Sequence, residues 1–339
     1  VSTAVYICRE GINLFGKNQD VPYHGAYIFT NSRNVVKRAM VLPPDHPAEW
    51  ISRYGSLTVS QVGKELPNGG MNEAGLVVEQ TTLWQSAYPE DSSLPAIGEL
   101  PWIQLLLDTC ASVQEAIEAA SRIRIVQPLS RLHYMICDRS GDCAVIEFLN
   151  GQMNVYRDNT LPIPVLANTP YVEAVRDIEN TREQRHNVYD DYSWNSMVRF
   201  KKAAAFIASP IPSGKGEQIE ILFEALRSAQ REDTVYSLVY ELTKLELHFL
   251  SNRYPERKVI RLKELDFSLQ SNAKVLDLHQ RDGGVLNDCF EQYNSKMNRI
   301  VVDSFFRNPV LTEAFGWTIT EEMINFTASF PDQYRSVEK

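Results

Sequence analysis

Three apolar, β-rich runs at residues 132–137, 143–148 and 153–156 are separated only by Asp138-Arg139-Ser140-Gly141-Asp142 and by Asn150-Gly151. Connections this short cannot cross a sheet, and Asp, Ser, Asn and Gly are turn formers. Consecutive antiparallel strands are therefore required. The same grammar opens the chain, where runs at 4–8 and 12–15 flank the turn Arg9-Glu10-Gly11. Further strand signals lie at 25–29, 35–41, 56–60 and 75–82, then at 235–241, 245–250 and 258–262.

Helical spacing falls between and after these strand groups. A helix at 102–107 leads into Ser112-Val113-Gln114-Glu115, a capping box that opens a helix over 117–123. Apolar residues recur at helical spacing over 195–208 and 218–228, and 303–330 reads as helix with a break at Asn308-Pro309. Grouped antiparallel strands with grouped helices predict helices packed outside stacked sheets, an α+β architecture. Residues 92–95 and 211–216 read as surface loops. With neither an internal repeat nor a long linker, 1–339 reads as one domain.

A net charge of -9 and a pI near 5.3 exclude a phosphate-backbone binder, which needs a basic face, so no nucleic acid partner is expected. The basic residues of 33–38 and 253–263 are interleaved with apolar ones and read as strand faces. No apolar run reaches the ~18–20 residues of a membrane span. Cys8, Cys110, Cys137, Cys143 and Cys289 show no metal-ligand spacing, and neither metal nor cofactor is expected. Cys137 and Cys143 face each other across a hairpin, as buried thiols or, alternatively, as a disulfide. No signal-peptide pattern opens the chain, and a first residue other than Met is read as the product of upstream processing. Exported (periplasmic) and cytoplasmic locations both stay open.

Three polar stretches stand against the strands. Asn68-Gly69-Gly70-Met71-Asn72-Glu73-Ala74-Gly75 precedes an apolar strand, Leu166-Ala167-Asn168-Thr169-Pro170 ends one at a proline, and Asn195-Ser196-Met197-Val198-Arg199-Phe200 starts a helix. Together with Phe15-Gly16-Lys17-Asn18-Gln19-Asp20 and Leu132-His133-Tyr134-Met135-Ile136-Cys137-Asp138, and in this order, they resemble the choloylglycine hydrolase family. That family of linear amide C–N hydrolases includes bile salt hydrolases and penicillin V acylases. The resemblance covers roughly residues 1–265 and fades beyond Asn272, leaving 270–339 as a partly helical, branch-specific tail.

The resemblance implies an N-terminal nucleophile fold: a four-layer αββα sandwich with two stacked antiparallel sheets. It implies hydrolysis of an N-acyl amide of bile-salt, penicillin V or acyl-homoserine-lactone type. It also implies a homo-oligomer, since relatives are often tetramers. The family's nucleophile is a cysteine at residue 1, whose own α-amine is the base; an unperturbed α-amine, with a pKa of about 7.7–8.0, is partly neutral at working pH. Carried over by position, Asp20 holds the amine, and Asn168 donates its side-chain amide to the oxyanion. The backbone N–H of Asn72 is the second oxyanion donor, and Arg199 shapes local charge. Lys17 stands where the family usually has arginine, keeping the charge and losing the planar fork. Tyr23, Leu83 and Trp84 would give an apolar wall suited to an acyl chain or a ring, with Leu83 and Trp84 as core residues the alternative.

The register counted back from Gly11, Gly16 and Asp20 puts the nucleophile at Val1, which has no nucleophilic atom. The form with Val1 is therefore expected to be inactive, as an engineered replacement or as a naturally inactive, acyl-amide-binding member. A displaced nucleophile at Ser2 or Thr3 fits poorly, because Ser2 points to the opposite face and Thr3 begins ~6–7 Å along the strand.

Overall fold

The computed structural model describes residues 1–90, 93–179, 190–210 and 217–337. The expected loop at 211–216 and residue Ser92 of the other lie outside the described residues; 93–95 form an irregular connection. The sequence's apolar runs assemble into two large sheets. A seven-stranded sheet has the order Val165–Leu166, Ser2–Arg9, Ile12–Asp20, Thr234–Glu241, Glu246–Ser251, Lys258–Arg261, Gly284–Val285, and only its last pair is parallel. The second, wholly antiparallel, has nine strands, with Gln152–Arg157, Cys143–Leu149, Leu132–Cys137 and Val77–Thr82 at one end. Gly69–Asn72, Ser56–Ser60, Tyr27–Asn31, Lys274–Asp277 and Glu291–Gln292 complete it.

Side-chain alternation explains how the layers stack. Along the nine-stranded sheet, Tyr134, Ile136, Ala144 and Ile146 join one buried cluster, while Met135, Cys137 and Val145 between them join the other. Both faces are covered, so these strands read as continuously apolar rather than alternating. The cluster holding Met135 merges with the seven-stranded sheet and with helices Asp191–Ala208 and Glu217–Ser228 beyond it. The cluster holding Tyr134 is closed by helices Glu99–Thr109, Val113–Ala120, Ser295–Phe306 and Glu321–Ser329. The result is helix, sheet, sheet, helix. Close approach of the outer layer uses Gly16, where an added Cβ would lie 3.0 Å from Leu222.

Several element limits differ from the expected ones. The Ser112 side chain accepts from the Glu115 N–H, and the helix starts at once at Val113 and ends at Ala120, not over 117–123. The strand expected over 35–41 stops at Arg38, where its pairing with Glu49–Ile51 ends. The stretch 303–330 is divided among Ser295–Phe306, Pro309–Phe315 and Glu321–Ser329, with Asn308 capping the second through the Leu311 N–H. Cys137 and Cys143 are direct cross-strand partners and both are thiols.

The tail returns to the body. Asn298 is fully buried, accepting from the Lys64 N–H at 2.9 Å and donating to the Ala328 carbonyl at 2.7 Å. Arg335–Ser336 pairs with Val35–Arg38.

Candidate active site

Antiparallel pairing of Ser2–Arg9 with Ile12–Asp20 sets residue 1 beside Asp20, whose N–H donates to the Val1 carbonyl over 3.0 Å. The Val1 α-amine donates to Thr82 Oγ1 at 3.2 Å, at the last residue of the Val77–Thr82 strand. Burial lowers the pKa of this amine from 8.0 to about 5; Asp20 opposes the shift and Arg199 adds to it. The shift favours the unprotonated amine, the form that can act as a base. Among the described residues no carboxylate forms a direct ion pair with it, so Asp20 acts through space rather than by holding it. Asp20 Oδ1 accepts from the Thr234 hydroxyl at 2.6 Å, and its other oxygen lies 3.9 Å from Arg199 Nη1. Burial raises the Asp20 pKa, against the pull of Arg199 and Thr234.

Arg199 is the hub. Its helix delivers a buried guanidinium that donates to the Ser2 carbonyl at 2.8 Å, Thr3 Oγ1 at 2.7 Å and Asn168 Oδ1 at 2.7 Å. Its Nε donates to Asn195 Oδ1 at 2.9 Å. Burial lowers its pKa to about 10, which still leaves it charged at neutral pH. Because Asn168 Oδ1 also accepts from the Ser2 N–H at 3.2 Å, the amide is turned with Nδ2 toward Thr82. One Nδ2 hydrogen goes to the Thr82 carbonyl at 2.8 Å. The second hydrogen remains available, since a primary amide carries two donors.

The Asn168 turn is braced from behind by residues the sequence reading passed over. His133 Nε2 lies 2.9 Å from the Ala167 carbonyl, and its Nδ1 lies 2.8 Å from Glu147. The same Glu147 oxygen accepts from the Tyr171 N–H at 2.8 Å, and the Thr81 hydroxyl donates to the Ala167 carbonyl at 2.5 Å.

Asn72 requires a correction. It lies at the far end of the hairpin from Thr82, and five steps of ~3.3–3.4 Å along Val77–Thr82 separate that strand's two ends. Its N–H is bound to the Leu76 carbonyl, and its side chain donates to the carbonyls of Leu107 and Cys110. Asn72 is a buried peg between a turn and the end of helix Glu99–Thr109. Thr82, and not Asn72, stands next to the amine. The signal in the sequence was the polar run Glu79-Gln80-Thr81-Thr82, closing an otherwise apolar strand.

Lys17 is fully buried and makes a single-pronged contact, 2.6 Å to Glu79, whose other oxygen accepts from Tyr240 at 2.6 Å. Burial pushes Lys17 down and Glu79 up, each opposed by the other's charge.

A cavity of about 80 Å³ opens in front of Val1. Its polar side carries Gln19, Gln61, Asn68, Gln80 and Thr82. Its apolar wall differs from the expected one. Leu83 is wholly buried and, like Tyr23 and Trp84, is not among the lining residues. The tail supplies that wall instead, with Phe305, Phe306, Leu311, Phe315 and Trp317. Tyr23 packs edge-on against Phe305 at 5.4 Å and Trp84 lies 5.8 Å from Phe315, so both stand one row behind. A larger groove of about 840 Å³, lined by residues such as Arg9, Pro162 and Trp194, contains none of the groups around Val1.

The profile of the linear amide C–N hydrolases of the choloylglycine hydrolase family matches residues 5–210. The chain belongs to that family. It is 29% identical over 138 residues to a penicillin V acylase of Pectobacterium atrosepticum, 36% of each chain. It is also 29% identical over 178 residues to a bile salt hydrolase/transferase of Clostridium perfringens, 48% of this chain and 51% of that one. The chain thus spans about a third and about half of these two curated relatives. The solved penicillin V acylase of Agrobacterium tumefaciens superposes with a TM-score of 0.73 at 24% identity, over 87% of this chain and 98% of that one. A mutant of the conjugated bile acid hydrolase of Clostridium perfringens gives a TM-score of 0.67 at 20% identity, over 84% and 98%. At such identity the likeness concerns the fold, which is the N-terminal nucleophile αββα sandwich.

Proposed function

We propose that this fold hydrolyses a linear amide C–N bond in an N-acyl compound through the side chain of residue 1, and that the form with Val1 does not cleave. The observation that carries the reading is the place of the residue 1 amine, at the cavity on Thr82, with Asn168, Arg199 and Asp20 grouped around the first strand. With a thiol at position 1, the amine takes the thiol proton as sulfur attacks the amide carbon. Negative charge then develops on the carbonyl oxygen, which the free Nδ2 hydrogen of Asn168 receives. The amine returns its proton to the leaving nitrogen, and water repeats the sequence on the thioester. Arg199 and Asp20 are positioning residues in this scheme, since neither need touch the substrate. Valine has only methyl groups at the attacking place, so no acyl-enzyme forms; loss of the nucleophile in another hydrolase cost about 2 × 10⁶ in turnover.

The test is Val1→Cys in a protein prepared to begin at residue 1, assayed on N-acyl amides of bile-salt, penicillin V and acyl-homoserine-lactone type. Hydrolysis by the Cys form and none by the Val form is expected. A folded Cys form that cleaves nothing defeats the amidase reading.

Val1 itself favours a second reading, an acyl-amide binding protein that keeps the pocket and has lost catalysis. Calorimetry on the Val1 protein tests it, with measurable binding of intact N-acyl amides expected. Their failure to bind removes it.

A further inference from the structure

Phe305, Phe306, Leu311, Phe315 and Trp317 bring to the cavity at Val1 a wall from outside the matched family region of 5–210, alongside Leu100 and Leu132 from inside it. Rings run without interruption from Tyr23 to Tyr192. Tyr23 meets Phe305 at 5.4 Å, Phe305 meets Trp317 at 5.7 Å, and Trp317 stacks on Phe315 at 4.6 Å with planes 9° apart. Phe315 meets Trp84 at 5.8 Å, and Trp84 meets Tyr192 at 6.4 Å. The belt is anchored. Val302 and Phe306 lie in the outer core, and Asn298 ties the same helix to Lys64 and Ala328. Gly63, at φ +148, lets that helix approach: an added Cβ would lie 2.8 Å from Val302. Phe315 and Trp317 flank Gly316, whose left-handed φ of 65 ends helix Pro309–Phe315.

Size decides what this enclosure admits. Pockets for drug-sized ligands hold roughly 300–1,000 Å³, whereas this one holds about 80 Å³. A void of that size takes a short acyl chain rather than a drug-sized group. We infer that the C-terminal segment is the acyl-length gauge of this protein: Phe315 and Trp317 close the cavity so that a short apolar acyl group fits and a long or ring-bearing one does not. The catalytic part of this inference rests on the amidase reading; the size limit does not.

The experiment measures both arms on one series of N-acyl-homoserine lactones, from acetyl through butanoyl and hexanoyl to octanoyl and decanoyl. In the Val1→Cys protein beginning at residue 1, kcat/KM is expected to fall at least ~10-fold from butanoyl to octanoyl, the scale on which a confined pocket rejects surplus methylenes. In Phe315→Ala/Trp317→Ala on that background, the octanoyl-to-butanoyl ratio is expected to rise at least ~10-fold. Both residues are half-buried, and Phe315→Leu with Trp317→Phe provides a milder second pair, expected to move the ratio the same way by less. Calorimetry on the Val1 protein, with and without the tail substitutions, reads the same order in binding. Cleavage that is indifferent to length, or a ratio the tail variants leave unmoved, overturns the gauge. Length-selective binding by the Val1 protein with no cleavage by the Cys form keeps the gauge and, with the penicillin V and bile-salt amides also uncut, overturns the amidase reading. A series neither bound nor cleaved overturns the gauge.

Discussion

Arg199 Nη2 donates to Asn168 Oδ1 over 2.7 Å, and this bond turns the other end of the Asn168 amide toward the Thr82 carbonyl. The guanidinium reaches the Ser2 carbonyl and Thr3 hydroxyl at the same time, so one side chain orients both the first strand and the proposed oxyanion donor. In the Val1→Cys background, Asn168→Ala is expected to lower kcat by about 10²–10³-fold with little change in KM. Arg199→Lys keeps the charge and loses the fork, and is expected to lower kcat through Asn168. A crystal structure of the Lys variant showing the Asn168 amide unturned, with kcat unchanged, would contradict that route.

The amine of residue 1 makes stability depend on pH. Its pKa is 8.0 when unfolded and about 5 when folded, so between those values the unfolded chain binds more protons. Its contribution therefore rises as pH increases from 5 to 8, by at most about 1.4 kcal/mol per unit for one proton. Asp20, raised by burial above 3.8, contributes with the opposite sign over a window that starts at 3.8. The direct readout is the Val1 Cα shift by NMR in ¹³C-valine-labelled protein beginning at residue 1, expected to titrate near 5. A midpoint near 8 would place the amine in solvent.

Asn72 is predicted to matter for stability alone. Its fully buried amide serves the Leu107 and Cys110 carbonyls and accepts from the N–H groups of Ala74 and Leu76. Asn72→Ala leaves these groups unpaired and is expected to cost on the order of 2–4 kcal/mol in urea unfolding. In the Val1→Cys background kcat should be unaffected; a hundredfold loss in a folded variant would restore the oxyanion role.

Lys17 and Glu79 form a buried pair in which each charge is the other's main compensation. Lys17→Met is expected to destabilise by about 3–5 kcal/mol, because Glu79 is left uncompensated. Adding Glu79→Gln, which still accepts from Tyr240, should recover most of that loss. Additive losses in this double-mutant cycle would mean that the two side chains do not interact.

Much of the architecture was legible because local rules and burial agree. Turn residues between Cys137 and Cys143 force a hairpin, and the nine-stranded sheet, covered on both faces, yields unbroken apolar runs such as 132–137. Asn168 and Arg199 could be named only through the ordered set of strings that carries the family resemblance, each string alone being weak. Thr82 could not, because hydroxyls at strand ends are common and only the meeting with the Val1 amine distinguishes this one. Asn72 was misplaced for the complementary reason: a glycine-rich turn looks like a ligand loop until its N–H and amide are seen to be spent inside the fold.

Short-range periodicity and turn chemistry, then, are written into neighbouring residues, and they determined the strands, the hairpins and the place of Val1 opposite Asp20. Which strand end meets which, and that a segment some 300 residues away supplies Phe305, Phe315 and Trp317 to the cavity at Val1, only the tertiary structure decided. The physical reason is that an aromatic residue on a helix follows the same periodicity whether its ring packs into a core or closes a pocket.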